Sequence, residues 1–326
     1  MSAQSLKMRI WHKGDGSWTS QASPSEPSAF CTLFCTFAMD ISKEDNMGYQ
    51  KIDLNEYVRT GEGGTAVSYT HKTRNSLAKL YNPGFEADRA KEEFLIAHSV
   101  FDIGIPTPEP YRLVTDGERF GAEYELIPGK RSFTRIISQE PDRLEEISRE
   151  FARLARQLHK TKADTTKLNS YKQRMQRFYM EKNLVPDEYK RRALAFLEHV
   201  PDTPTCVHGD LQIGNIITDG KRTLWIDVGE FGYGVPEWDL GLMWTICNNM
   251  DKERTDNLFH LTPDTIKAHW NIFLSAYVGT TDREALGEFT KRILPFYAVK
   301  LPYIYDMSYH APLPEIAFQK VINMLP

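Results

Sequence analysis

The stretch 205–227 constrains the chain most. It reads Cys206-Val207-His208-Gly209-Asp210-Leu211-Gln212-Ile213-Gly214-Asn215-Ile216-Ile217, then the turn Asp219-Gly220-Lys221, then Leu224-Trp225-Ile226-Asp227. This is a β-rich island in a region otherwise patterned as helix. Leu144 to Lys160 carries Ile147, Phe151, Leu154, Ala155 and Leu158 at helical spacing, and Tyr171 to Lys182, Asp187 to Val200, Thr262 to Tyr277 and Asp282 to Ile304 read as helices too. A hairpin between Asn215 and Asp227 can bring both to the same edge. Phosphoryl transfer needs these residue types, because its loosely bonded transition state leaves catalysis to positioning and charge neutralisation. Asp210, in a turn after an apolar strand, suits the carboxylate beside the attacking hydroxyl. Asn215 and Asp227 are hard oxygen donors of the kind that hold Mg²⁺.

Upstream the pattern differs. Lys51 to Val58 leads into Arg59-Thr60-Gly61-Glu62-Gly63-Gly64-Thr65-Ala66, a glycine-rich turn that lets backbone approach a ligand. Strands are expected over Ala66 to His71 and Ser76 to Tyr81, and a helix over Ala87 to Phe101. Pro106 and Pro108 break that helix. Strands Tyr111 to Thr115 and Arg119 to Ile127 flank the turn Asp116-Gly117-Glu118, and Pro128-Gly129 closes the region. The expected division is a disordered extension over 1–46, a small α+β lobe over 47–128 and a mainly helical lobe over 129–326. Met47 makes a natural first residue for the folded part. The apolar run Ala29 to Met39 lacks the short basic lead of a signal peptide, since a long stretch with serine and proline precedes it.

With 40 basic and 44 acidic residues among 326, the formal charge is −4, which argues against a nucleic-acid binder. No segment approaches the ~20 apolar residues needed to span a bilayer. Four cysteines are too few for a disulfide scaffold, and nothing near Cys31 and Cys35 completes a zinc site. A cytoplasmic location, with no nucleic-acid or membrane partner, is expected.

The ordered set resembles the aminoglycoside phosphotransferase and choline kinase superfamily, distant relatives of protein kinases, from about Gly61 to Leu242. The resemblance implies an α+β, two-lobed protein-kinase-like fold, with a small β-rich N-lobe carrying one helix and a larger, mainly helical C-lobe. His208-Gly209-Asp210 through Asn215 matches the family's catalytic loop, Ile226-Asp227 its metal-binding aspartate, and Gly232 to Gly241 the segment whose aspartate, here Asp239, braces that loop. By the same likeness Gly61, Gly63, Gly64 and Thr65 cover the nucleotide, and Lys79 contacts its phosphates. Glu93 fixes that lysine by an ion pair, and the backbone of the hinge from Glu123 through Glu125 to Ile127 meets the base. Mg²⁺ and ATP or GTP are the implied cofactors, and a small-molecule hydroxyl is the implied acceptor. A pocket lined by Trp244, Asn248, Asn249 and Asp251 is the expected place for it.

Taken singly, these residues have plainer readings. A glycine cluster before a strand is ordinarily a turn, Lys79 a surface lysine and Glu93 a solvated helix charge. Asp219 and Asp251 read as turn or cap residues, His159 and His208 as braces, and Trp225 and Trp238 as packing. The chain also departs from relatives. Gly209 stands where protein kinases carry arginine, Val228-Gly229 replaces their Phe-Gly, and Gln212-Ile213 replaces the His-Pro of many antibiotic-modifying members. Two rival readings stay open here: a protein kinase, and a nucleotide-binding protein without turnover.

Overall fold

The computed structural model describes residues 48–62, 65–309 and 311–326. The expected extension over 1–46, Cys31 and Cys35, and two site candidates, Gly63 and Gly64, lie outside the described residues. The first lobe contains β1 (Gln50–Lys51), β2 (Tyr57–Glu62), β3 (Ala66–His71), β4 (Ser76–Tyr81), α1 (Ala87–Asp102), β5 (Pro110–Thr115) and β6 (Phe120–Glu125). The strands form one sheet in the order β1-β5-β6-β4-β3-β2, antiparallel except for the β1–β5 pair. The alternating pleat explains β4. Ala78 and Leu80 point into the core with no exposed surface, so Leu77, Lys79 and Tyr81 face the opposite side. Gly61, expected in the turn, instead lies within β2 beside a register shift and pairs with Ser68.

Helix α1 belongs to both lobes. Phe94 packs against Leu113 and Ala122 under the sheet. Ile96, Ala97 and Val100 join a core that also holds Phe151 and Trp225 of the second lobe. That lobe begins with β7 (Arg131–Ser132), α2 (Phe133–Gln139), α3 (Leu144–Leu158), α4 (Tyr171–Glu181) and α5 (Asp187–His199). It continues with β8 (Cys206–Val207), the hairpin β9 (Ile216–Thr218) and β10 (Thr223–Trp225), β11 (Gly232–Tyr233), α6 (Glu237–Asn249), α7 (Lys252–Phe259), α8 (Pro263–Val278), α9 (Arg283–Tyr309) and α10 (Glu315–Val321). Strand β7 joins the β9–β10 hairpin, and β8 pairs with β11. The architecture is α+β and two-lobed, as expected. Trp225 and Trp238 are buried packing residues, and Asp219 and Asp251 are turn and cap residues accepting from nearby backbone N–H groups. Among the described residues no helix is long and apolar enough to cross a membrane.

Helix α9 runs through Pro295 and Pro302, beyond the expected end at Ile304. Pro302 has no N–H, so the Ala298 carbonyl four residues earlier loses its helical donor. The Tyr189 hydroxyl, from α5, donates to that oxygen at 2.6 Å, and the Tyr179 hydroxyl, from α4, donates to the Val299 oxygen at 2.7 Å. The α4–α5 pair thus satisfies the interrupted helix from outside. Replacing Tyr189 by Phe leaves a buried carbonyl unpaired, at a cost of about 1–3 kcal/mol. Val299 can still receive the Tyr303 N–H, so Tyr179→Phe is expected to cost less. Urea unfolding of the two variants checks the order.

Candidate active site

The 208–215 loop takes its shape from one buried carboxylate. Asp239, on α6 and with no exposed surface, accepts the His208 N–H and the Gly209 N–H at 2.7 Å each. It also accepts from His159 Nε2 at 3.0 Å, while His159 Nδ1 meets the Tyr277 hydroxyl at 2.7 Å. Burial pushes the Asp239 carboxyl up, but the His159 bond and the His159 and Lys300 charges outweigh it and hold the group below its ordinary range. The His208 ring is buried, and burial pulls its ionisation down. Its Nδ1 accepts the Asp210 N–H at 3.3 Å and its Nε2 donates to the Ile226 oxygen at 3.2 Å, so it ties the loop to the strand that ends at Asp227.

Gly209 has φ 85°, and a Cβ there would sit 2.0 Å from the Tyr171 hydroxyl and 2.3 Å from the Glu230 oxygen. The arginine of protein kinases has no room at this position. The Tyr171 hydroxyl donates to the Glu230 oxygen at 2.6 Å, and Lys300, 2 % exposed, donates from Nζ to the Gly209 oxygen. Lys300 Nζ also stands 4.7 Å over the Tyr171 ring. The sequence reading missed Lys300. Its signal was a single charge in the apolar run from Pro295 to Tyr305.

The loop sets Asp210 and Asn215 beside the strand that ends at Asp227, and neither side chain is in the lining of the two cavities described below. Asn215 Nδ2 donates to Asp210 Oδ2 at 2.9 Å, and the Asn215 backbone oxygen accepts the Ile226 N–H at 3.0 Å. Asn215 and Asp227 therefore stand side by side. Burial raises the Asp210 carboxyl above its ordinary value, with the Asp227 charge adding to it and His208, Asn215 and Lys300 opposing. Asp227 is lowered, first by the Lys79 charge. It sits at φ 60°, ψ 47°, a left-handed backbone uncommon for a residue with a side chain.

Lys79 meets Asp227, with Nζ 2.7 Å from Oδ1. This corrects the expected Lys79–Glu93 pair. Tyr81, two residues along the same face of β4, places its hydroxyl on Glu93 Oε2, and Glu93 faces Arg89 at 4.0 Å. Glu93 nevertheless abuts the segment after Asp227, since a Cβ on Gly229 would lie 2.8 Å from its Oε2. Thr65, Lys79, Glu93 and Asp227 line one cavity of about 270 Å³, together with Ala66, Tyr124 and Lys130. Glu125 and Ile127 are not in that lining. The Glu125 N–H is spent on the Glu109 oxygen at 2.8 Å and its carboxylate on Arg222 at 2.9 Å, while Ile127 packs against Ile217 and Leu224.

A second cavity, of about 450 Å³, shares Glu93 and Gly229 with the first. Its wall comes from α4 (Arg174, Arg177), α9 (Tyr303, Asp306) and Glu230, whose oxygen lies against Gly209. Trp244, Asn248, Asn249 and Asp251 line neither cavity. Trp244 packs on the core, Asn248 bonds back to the Trp244 oxygen, and Asp251 caps α7.

The loop's dependence on Gly209 is open to test. Gly209→Ala combines a left-handed backbone with overpacking, at a cost of about 2–4 kcal/mol. Tyr171→Phe in the same chain is expected to restore only part, because the Glu230 backbone oxygen still blocks the methyl group. Thermal unfolding of the single and double variants reads both.

No curated protein matched the chain by sequence. Among solved structures, the crystal structure of aminoglycoside phosphotransferase APH(4)-Ia aligns at 12 % identity and TM-score 0.55, covering 82 % of this chain and 93 % of that one. The gentamicin–APH(2")-IIa complex aligns at 16 % identity and TM-score 0.50, covering 89 % and 96 %. A choline/ethanolamine kinase family protein from Mesorhizobium loti gives 16 % identity and TM-score 0.48, covering 82 % and 84 %. At these identities the likeness to the two aminoglycoside phosphotransferases is one of fold, the two-lobed protein-kinase-like fold. The family profile described as the phosphotransferase enzyme family matches residues 56–264, more than half of the chain. The chain thus belongs to the phosphotransferase enzyme family.

Proposed function

We propose that this chain transfers the γ-phosphoryl group of ATP or GTP, with Mg²⁺, to a hydroxyl of a small molecule seated in the cavity beside α4. The observation that carries the reading is the meeting of Lys79 and Asp227 at 2.7 Å, next to the strand pairing that holds Asn215 and its bond to Asp210. Lys79 is kept charged. Burial pulls its ionisation down, but Asp227, Tyr124 and Glu93 outweigh that. Such a lysine suits nucleotide phosphates as a fixed cation.

The donor set fits magnesium. The Asn215 amide oxygen, which accepts from Gln212 Nε2 at 2.8 Å and retains a second lone pair, and the Asp227 carboxylate are hard oxygen donors. An ion held by one carboxylate, one amide and the nucleotide would suit that set. Bound there, Mg²⁺ would neutralise charge on the transferring phosphoryl group.

Asp210 takes the base role because the two carboxylates are driven apart, Asp210 upward by burial and Asp227 downward by Lys79. Asp210 Oδ2 is fixed by Asn215, and Oδ1 has no hydrogen-bond partner among the described residues. The acceptor oxygen bonds to the γ-phosphorus, the bond from that phosphorus to the β–γ bridging oxygen breaks, and the hydroxyl proton passes to Asp210. The products are the nucleoside diphosphate and the phosphorylated acceptor. The 450 Å³ cavity is the acceptor's place because Glu230, on its wall, touches Gly209 next to Asp210.

Release of nucleoside diphosphate, measured with Mg²⁺ from ATP and GTP separately across choline, ethanolamine, amino alcohols, amino acids, sugars and aminoglycosides, tests the reading. Asp210→Ala is expected to lower acceptor-dependent turnover by about 10²–10⁴ while nucleotide still binds. Asp227→Ala should abolish it. Undiminished turnover in either variant, or nucleotide binding with no turnover on any acceptor, would sink the proposal. Lys300→Met, which removes the donor to the Gly209 oxygen, should lower kcat and leave the nucleotide KM near its original value. An equal loss in both would mean that the lysine serves only folding.

A further inference from the structure

The cavity beside α4 carries both signs of charge, and they are unequally engaged. The Arg174 side chain is 16 % exposed, its guanidinium stands 4.7 Å over the Tyr171 ring, and it pairs with Glu230 at 2.9 Å. Both of its bonds to Glu230 leave from Nη1. Its Nε and Nη2 donors have no hydrogen-bond partner among the described residues. A guanidinium offers five N–H donors in a planar fork, and the Nε and Nη2 donors here are left for solvent or an arriving acceptor. Arg177, one turn along α4 and on the same wall, has no ion-pair partner among the described residues. Neither have Glu92 and Glu181, which line the same cavity. The other charges of the wall cancel in pairs, Lys182 with Asp306 at 3.5 Å and Arg89 with Glu93 at 4.0 Å.

We propose that this cavity selects a hydroxylated amino acid. Arg174 and Arg177 hold its carboxylate, Glu92 and Glu181 face its ammonium, and its side-chain hydroxyl is presented toward Asp210. The proposal rests on the reading of this cavity as the acceptor site. An arginine fork matches a carboxylate bidentately. The lining holds four basic and five acidic side chains, and the basic ones stand against each added ammonium of a polycation, whereas a zwitterion places one charge of each sign.

The test is calorimetric titration of the full chain with Mg-ADP present to fill the nucleotide cleft. L-Serine and L-homoserine are the probes, set against choline, ethanolamine and a polycationic aminoglycoside. At least one amino acid is expected to bind, and to weaken by about tenfold or more in Arg174→Met. Arg177→Gln, at an exposed position, should weaken it in the same direction without risk to the fold. Tighter binding of choline or of the polycation overturns the proposal, as does an amino-acid affinity unchanged in both variants or no amino-acid binding at all. An anion such as inorganic phosphate binding in place of the amino acids would overturn it too, and would point to a phosphorylated acceptor. Mg-ADP affinity, read in the same titrations, separates the two claims. If it persists while amino acids fail, this inference falls and the phosphotransferase reading stands. Loss of turnover on every acceptor would strike that reading instead.

Discussion

Everything in the cleft depends on a carboxylate that never reaches it. Asp239 is fully buried, and an isolated charge there would be prohibitively costly. Two loop N–H groups and an imidazole compensate it. Those same bonds fix the backbone at His208 and Gly209, so the direction of the Asp210 side chain is settled by a hydrogen-bond count and not by loop preference. The helical lobe is arranged around this requirement. Helix α6 supplies Asp239, the end of α3 supplies His159, α8 supplies Tyr277 and α9 supplies Lys300. Four helices meet at a loop that is otherwise too short to hold a shape.

The charges near the cleft form a second layer of constraint. Lys300 brings a cation into the same buried region, and burial pulls its ionisation down against the pull of Asp239, Glu230 and Asp210. Its ammonium finds one carbonyl, that of Gly209, and one aromatic face, that of Tyr171. Across the cleft, Lys79 fixes the other carboxylate, Asp227. The two acids thus experience opposite environments: burial dominates at Asp210, where Lys300 only opposes it, and the Lys79 charge dominates at Asp227.

The parts of this arrangement that were legible in the sequence are those decided locally. The β9–β10 hairpin follows from Asp219-Gly220, whose carboxylate accepts the Lys221 and Arg222 N–H groups. Strands β3 and β4 fall within their expected bounds because both are β-rich runs with a turn-like stretch, Lys72 to Asn75, between them. What the sequence could not give was side-chain direction where several elements converge. Lys79 was expected to meet Glu93, but Tyr81 on the same strand face takes that carboxylate. Trp244 and Asn248 were expected in a pocket, yet helix α6 turns them to the core and to its own backbone. Gly61 looked like turn because glycine is permissive, and the sheet used that freedom for an irregular strand pairing.

The same contrast explains why the family was readable and the acceptor was not. The loop, its buried aspartate and Gly209 are interlocked, and each substitution there strands a polar group or forces atoms together. The cavity wall is built differently. Helix α4 buries Tyr171, Met175, Phe178 and Tyr179, which hold its position, and Arg174 and Arg177 are carried between them. At exposed Arg177 any side chain that tolerates a helix can stand without disturbing the backbone, while Arg174 is held by Glu230 and the Tyr171 ring. A scaffold made this way keeps its chemistry fixed and lets recognition vary, so the identity of two arginines tells more about the acceptor than the fold does.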